Sequence, residues 1–331
     1  MKKKSIFSAF RFISLALGVI LFLLVYVSSC APQPRNGIEN QQSFEEVQSG
    51  RSVKHAMGET IVPEQPQRVV ILTNEGTDML LALGVMPIGA VQSWQGDPYY
   101  DYLGDQLDDV PTVGDELKPN IESIVALQPD LIIGSKIRQK GIYKKLKAIA
   151  PTIFSETIGS TWKENLKLYA EAVNREDEAT SLMLAWDKRI EEFKQKLGNN
   201  PPTVSLVRFL PGTTRVYFSQ SFPGKLVKEA GLDRPNAQEV QDFAKEINIE
   251  SINILDADYL FYFTFDNEEN NGDEMKNQWL KHPLWQKLRV VQKGNAYAVS
   301  DSEWTSSGGI MSANLVLDDL SKYILSKESL D

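Results

Sequence analysis

NIESIVALQPDLII occupies residues 120–133, and NIESINILDADYLF occupies residues 248–261. Asn, Ile, Glu, Ser, Ile, Leu and Asp recur at matching places, 128 positions apart. Asn120 and Asn248 suit helix N-caps, because a short side-chain oxygen can accept from an orphan backbone amide. Glu122 and Glu250 then fall in the first turn, where a carboxylate meets the positive end of the helix dipole. Each short helix leads through a turn into an apolar segment, Leu131-Ile132-Ile133 or Tyr259 to Phe263. Such runs read as core strands. A helix–strand unit repeated at this separation predicts two similar lobes. Capping accounts for the asparagines and the apolar positions. It accounts for the glutamates only in part, since the dipole contributes about 0.3–1 kcal/mol and Asp would serve as well. The further reading is that each lobe presents one exposed glutamate, at an equivalent place, to a symmetric partner.

Outward from the repeat the chain alternates strands and helices. Val53-Lys54-His55 and Glu59-Thr60-Ile61 flank Gly58 as a hairpin. Val69 to Leu72 reads as a buried strand, Gly76 to Leu83 as a helix closed by Gly84, and Pro87 to Val91 as a strand. In the second half Val204 to Phe209, Arg215 to Phe218, Tyr259 to Phe263 and Ala296 to Val299 read as strands. A helix ends at Gly231, and Asn314 to Leu325 closes the chain. This is an α/β pattern with parallel pairing expected. Residues 161–197 break the rhythm. Thr161 and Glu164 have capping-box spacing. Ala179, Leu182, Met183, Trp186, Ile190, Phe193 and Leu197 then mark one face of a helix over 176–197. At 1.5 Å per residue it is on the order of 30 Å long, enough to span from one lobe to the other.

Lys2, Lys3, Lys4 and Arg11 precede an apolar run from Phe12 to Val27, and Val27-Ser28-Ser29-Cys30 follows. The run is too short and interrupted for a membrane span of roughly 20 residues. A basic start, a short apolar core and small residues make a secretory signal. The last four residues have the form of a bacterial lipobox, with lipid added to Cys30, the chain's one cysteine. One acyl chain holds only marginally at about 0.8 kcal/mol per CH₂, whereas two or three hold stably. The divisions read as 1–29 lipoprotein signal peptide, 30–50 flexible tether, 51–160 N-terminal lobe, 161–200 linking helices and 201–331 C-terminal lobe. The protein is therefore expected to be exported and lipid-anchored, facing the periplasm or cell surface. Removing the four cationic residues of the leader takes the net charge from −9 to −13. So acidic a body argues against nucleic acid, and an anion site must then be a local cluster of Arg or Lys.

The chain resembles the substrate-binding proteins of ABC importers for ferric siderophores, heme and cobalamin. The resemblance is carried by PQRVVIL (66–72), LLALGVMPIGAV (80–91), VRFLPGTTRVYFSQSFPG (207–224), PLWQKLRVVQKGNAYAV (283–299) and the two repeat segments. It implies two Rossmann-like α/β lobes joined by a single long helix, with the ligand in the cleft between them. That agrees with the independent reading of 176–197. It also implies small lobe motions, a permease and its ATPase as partners, and docking of Glu122 and Glu250 onto permease arginines. The chain is read as a monomer that binds an Fe(III)-siderophore and has no cofactor. Heme, cobalamin or ferric ion on the same fold is the alternative.

In open α/β sheets ligands lie beyond the carboxyl ends of the strands. The candidate loops are 73–75, 93–95, 114–116 and 135–138 in the first lobe, and 217–222, 264–265 and 303–305 in the second. Trp94, Tyr217 and Trp304 would supply aromatic surface. Arg138, Arg208 and Arg215 would supply planar donors for siderophore oxygens. Arg208 sits in an apolar strand and must find a partner; the ligand is the expected one. Glu116 stands where hydroxamate-binding relatives tend to place a basic residue, which argues against a hydroxamate contact there. Only His55 and His282 are present, so a His-rich metal site is excluded. Tyr99, Tyr100 and Tyr102 read as a solvated loop, with bare ferric iron as the other possibility. No G-x-S-x-G, P-loop or G-x-G-x-x-G pattern supports an enzyme. A tethered sensor or scaffold would use the same lobes without the docking glutamates.

Overall fold

Val69-Val70-Ile71 and Leu131–Ser135 are buried along their whole length. Continuous burial suits the centre of a parallel sheet covered on both faces, and both runs lie there. The structure is a computed structural model that describes residues 50–267 and 270–326. The expected signal peptide, the lipid site at Cys30 and all of the tether but its last residue lie outside the described residues.

A hairpin of β1 (Gly50–His55) and β2 (Gly58–Pro63) comes first. The first lobe follows with β3 (Val69–Ile71), α1 (Asn74–Ala82), β4 (Gly89–Gln92), β5 (Thr112–Asp115), α2 (Ile121–Ala126), β6 (Leu131–Ser135), α3 (Lys136–Gln139), α4 (Tyr143–Lys147) and β7 (Thr152–Ser155). Its sheet has the order β5-β4-β3-β6-β7 and is parallel throughout. Helices α5 (Trp162–Val173) and α6 (Glu176–Leu197) then cross to the second lobe. That lobe holds β8 (Val204–Leu210), β9 (Thr213–Tyr217), α7 (Phe222–Glu229), β10 (Ala244–Ile247), β11 (Tyr259–Thr264), a small ladder of β12 (Asp266–Asn267) and β13 (Asn270–Asn271), α8 (Gly272–Leu280), α9 (Pro283–Gln286), α10 (Arg289–Gln292), β14 (Ala296–Ala298) and α11 (Ile310–Leu320). Its sheet order is β10-β9-β8-β11-β14.

Counted within each lobe, both sheets run 3-2-1-4-5, the Rossmann order without its sixth strand. The second departs from the expected parallel pairing. β9 runs antiparallel to β8, and β10 antiparallel to β9. The reason is local: Leu210 pairs with Thr213 across Pro211-Gly212, and Gly212 takes φ +73°. A two-residue turn can join only antiparallel strands.

Asn120 and Asn248 both act as N-caps, accepting from the amides of Ser123 and Ser251 at 3.1 and 3.0 Å. The second copy of the repeat, Ile249–Leu255, winds as a 3-10 helix rather than an α-helix. Thr161 does not form the expected capping box. Its hydroxyl donates to Thr157 O instead, so α5 starts without a side-chain cap. Below the sheets one apolar core runs through both lobes, joining Ile71, Leu166, Trp186, Leu206, Phe261 and Ile310. Trp186 of α6 packs edge-on against Trp162 at 5.4 Å, and its indole N–H donates to Glu229 of α7 at 2.9 Å. The lobes therefore share packing and are not free to swing widely.

Candidate functional site

The strand order reverses at β3/β6 in the first lobe and at β8/β11 in the second. Ligands of open sheets lie at such points, beyond the carboxyl ends. A cleft of about 280 Å³ opens there between the lobes. Trp94 and Arg138 line it from the first lobe, and Arg208, Phe222, Phe243 and Phe265 from the second.

Arg138 lies in the short helix that follows β6. Gln139 beside it is buried and fastens three strand ends. It accepts from Ser135 N at 2.8 Å and donates to Leu72 O and Glu116 O at 2.9 and 2.7 Å. Glu116 is only 2 % exposed. Its Oε2 accepts from the amide and side chain of Asn74 at 3.0 and 2.9 Å, and its Oε1 accepts from Arg138 Nε at 2.8 Å. The carboxylate therefore serves to aim an arginine. The terminal nitrogens of Arg138 meet no acceptor among the described residues, and its side chain is 32 % exposed.

Arg208 is held far more tightly. Asp301 accepts from its Nε at 2.6 Å and its Nη2 at 2.7 Å, a two-pronged carboxylate pair. Ser306 Oγ accepts from Nη2 at 2.9 Å, Tyr217 Oη accepts from Nη1 at 3.3 Å, and the Phe265 ring lies 5.1 Å from the guanidinium carbon. Burial pulls the pKa of Arg208 down, but Asp301 more than reverses this and leaves it above the ordinary arginine value. The expected partner, the ligand, is thus replaced by Asp301. A cation in an apolar strand needs a counterion before any ligand arrives.

Three other expected ligand residues are corrected. Trp304 is fully buried, stacked on Phe261 at 4.8 Å, with its indole N–H donating to Asp319 at 2.9 Å. It is core. Tyr217 is 1 % exposed, wedged between Phe243 and Phe263, and backs Arg208 from behind. Arg215 pairs at 2.8 Å with the exposed Glu246 on the neighbouring strand, outside the cleft lining. Nor is the tyrosine cluster a solvated loop. Tyr99 and Tyr100 are buried, and Tyr102 donates to Asp78 at 2.8 Å. No His, Cys, Asp and Glu cluster able to hold a metal occurs among the described residues.

Sequence reasoning missed Phe243 and Asp301. Phe243 is 53 % exposed at the start of an edge strand, an unusual place for a large ring. Asp301 lies three residues past the last strand of the sheet, where a carboxyl-end search would have found it. Beneath the cleft lie two further buried acids of α1. Glu75 accepts from Gly159 N and Asn165 Nδ2, both at 2.8 Å. Burial outweighs those bonds and raises its pKa to about 8. Burial likewise raises Asp78 to about 6, although Met311 N and Ser312 N each donate to it at 2.9 Å. Glu122 and Glu250 are both exposed in the first turns of their equivalent helices. No helix among the described residues is long and apolar enough to cross a membrane.

Comparison with known proteins gives this geometry its context. A probable siderophore-binding lipoprotein of Bacillus subtilis, YfiY, is 47 % identical over 93 % of this chain and 97 % of its own. An achromobactin-binding periplasmic protein of Dickeya dadantii is 36 % identical over 78 % of this chain and 86 % of its own. Among solved structures, Staphylococcus aureus SirA complexed with staphyloferrin B matches with a TM-score of 0.76 and 30 % identity, covering 83 % of this chain and 98 % of that one. The periplasmic binding protein family matches residues 69–302. With two lobes, a shared core and a cleft at paired switch points, the chain belongs to the periplasmic binding protein family.

Proposed function

We propose that this protein captures an anionic ferric siderophore in the interlobe cleft and hands it to an ABC permease, without chemical turnover. The observation that carries the reading is the pair of cleft arginines, Arg138 and Arg208, set among Trp94, Phe222, Phe243 and Phe265. Guanidinium forks suit oxygen donors with negative charge, and aromatic faces suit the flat donor groups around the iron. The names of the relatives and of the matched complex support the same ligand class. Arg138 offers its free terminal nitrogens, and Arg208 forms a charged wall.

Lipidation at Cys30 would hold the protein at the membrane as a monomer on its tether, with residues 51–160 and 201–331 as lobes and 161–200 between them. Glu122 and Glu250 would then meet arginines of the permease, which is coupled to its ATPase. Such rim charges contribute orientation and encounter rate more than affinity.

Tryptophan-fluorescence titration tests the ligand. Trp94 lines the cleft, so quenching is expected with ferric staphyloferrin B, ferric achromobactin or ferric citrate, and not with heme or cobalamin. Saturable binding of heme or cobalamin alone would overturn the reading. Binding of inorganic Fe³⁺ with none of the chelates would do the same.

A further inference from the structure

Helix α11 belongs to the second lobe, yet its N-terminus is capped from the first. Asp78 of α1 is fully buried, and it accepts from Met311 N and Ser312 N at 2.9 Å each. The four leading amides of a helix have no partner within it, so a carboxylate placed there satisfies donors and meets the dipole favourably. A side chain at Gly309 would obstruct this, since its Cβ would lie 2.1 Å from Asp78 Oδ1. Glycine there gives the carboxylate its room. Tyr102, also of the first lobe, donates to Asp78 at 2.8 Å and bonds Ser307 of the second. Ser307 Oγ also stands 3.4 Å from Asp78 Oδ2.

The segment fastened in this way, residues 301–309, is the one that grips Arg208. Asp301 and Ser306 supply three of the hydrogen bonds on its guanidinium. Ser306 also donates to Asp301, which ties the two acceptors together. A π-helical turn, Ser302–Ser306, shapes the segment as a short arch. One end of the arch carries the anion that aims the arginine. The other end is pinned by the opposite lobe. Neither Asp78 nor Tyr102 lines the cleft.

We propose that Asp78, from the first lobe, is a positioning residue for Arg208 of the second, acting through the 301–309 arch. The proposal rests on Arg208 facing the ligand, as inferred above. It makes the aim of the arginine depend on how the lobes are seated, so that loading of the cleft and lobe geometry are one equilibrium. It also makes the aim sensitive to acid. Protonated Asp78 loses acceptor capacity toward the two amides, and burial places that protonation near pH 6. The groups facing Asp78 are Tyr102 and, on its own helix, Glu75; α5 brings Asn165 and Tyr169 against Glu75. Among the described residues, the second lobe presents to Asp78 the amides of Met311 and Ser312 and the Ser307 hydroxyl.

The experiment compares wild type, Asp78→Asn and Tyr102→Phe as full chains, without ligand and with ferric staphyloferrin B or ferric citrate. Without ligand, the Nε–H resonance of Arg208, identified by its loss in Arg208→Lys, is read by NMR. It is expected to be sharp and slowly exchanging in wild type, and to exchange at least tenfold faster in Asp78→Asn. With ligand, affinity is expected to fall about tenfold in Asp78→Asn and about threefold in Tyr102→Phe, in proportion to the charge-assisted bonds removed. Between pH 7 and pH 5.5 wild-type affinity falls toward that of Asp78→Asn, whose own profile lacks this step. An unchanged Arg208 resonance in both variants overturns the proposal, whatever binds. Parallel pH profiles with affinities within twofold overturn it too. If no chelate binds wild type, the ligand reading fails, and the resonance alone decides the positioning.

Discussion

Arg208 of the second lobe is gripped by a carboxylate, a serine, a tyrosine and a ring, whereas Arg138 of the first is held through one nitrogen. Both line the same cleft, each on the element at the switch point of its sheet. The difference comes from their surroundings. Arg208 lies within a strand, with its side chain 14 % exposed, so the fold must neutralise it. Arg138 lies just past a strand end and keeps water on its outer edge. A cation locked in place before binding loses little entropy when a ligand arrives. A half-held cation keeps donors to spare. On the proposed function the two lobes would divide the work, one supplying a fixed charged wall and the other a hand with donors to spare for the ligand.

The comparison breaks most severely at Asp301. Asp301→Ala leaves a buried guanidinium without its anion, and the expected loss of stability is about 3–5 kcal/mol. Urea unfolding reads it; a loss under about 1 kcal/mol would mean that Arg208 is as solvated as Arg138. Next comes Arg138→Ala. Its pair with Glu116 is a third exposed on the arginine side, and Asn74 still donates twice to the buried carboxylate, so the stability cost should stay below that of Asp301→Ala, at about 1–3 kcal/mol. Affinity for the ferric chelate should nonetheless fall about 10- to 100-fold by calorimetry. Equal losses of stability and affinity in the two variants would erase the distinction between wall and hand. Arg208→Ala is the less clean probe, because it orphans Asp301 as well.

The acids beneath the cleft sharpen the contrast further. The Asp301 carboxylate of the second lobe has a cation for partner, while Glu75 and Asp78 of the first lobe have only neutral donors. Glu75 is raised from 4.5 to about 8 in the fold. A raised acid contributes its stability fully below its unfolded value and loses it as pH rises through the folded one. Wild type should therefore lose roughly 2 kcal/mol between pH 5 and 7 relative to Glu75→Gln. Thermal melts of both across that range would show it, and parallel curves would remove Glu75 from the account. The smallest effect on the purified protein belongs to the surface. Glu122→Ala and Glu250→Ala together should change stability and ligand affinity by less than about 0.5 kcal/mol, while cellular uptake of the iron chelate falls. Unchanged uptake would favour a sensor or scaffold that does not dock a permease.

Much of the fold was legible before any coordinates. The NIES repeat carries its own caps, and helix 176–197 announces itself by spacing, because capping and amphipathic burial are local physics. Arg138 and Trp94 could be found in the same way, since they stand at predicted strand ends. The remaining assignments turned on partners distant in sequence. Tyr217 and Trp304 looked like binding aromatics because rings suit both a core and a cleft. Only packing against Phe243, Phe263 and Phe261 showed which they had joined. Arg208 announced that it needed an anion, yet Asp301 lies 93 positions away and could be matched to it only by the folded sheet. The sequence by itself determined that there are two lobes, the linking helix and several of the loops at the cleft, 93–95, 135–138, 217–222, 264–265 and 303–305, while the segments of Ile158 and Phe243 went unforeseen. The tertiary structure decided which side chains in those loops face the cleft and which meet each other, because pairing a buried charge or ring is settled by neighbours in space.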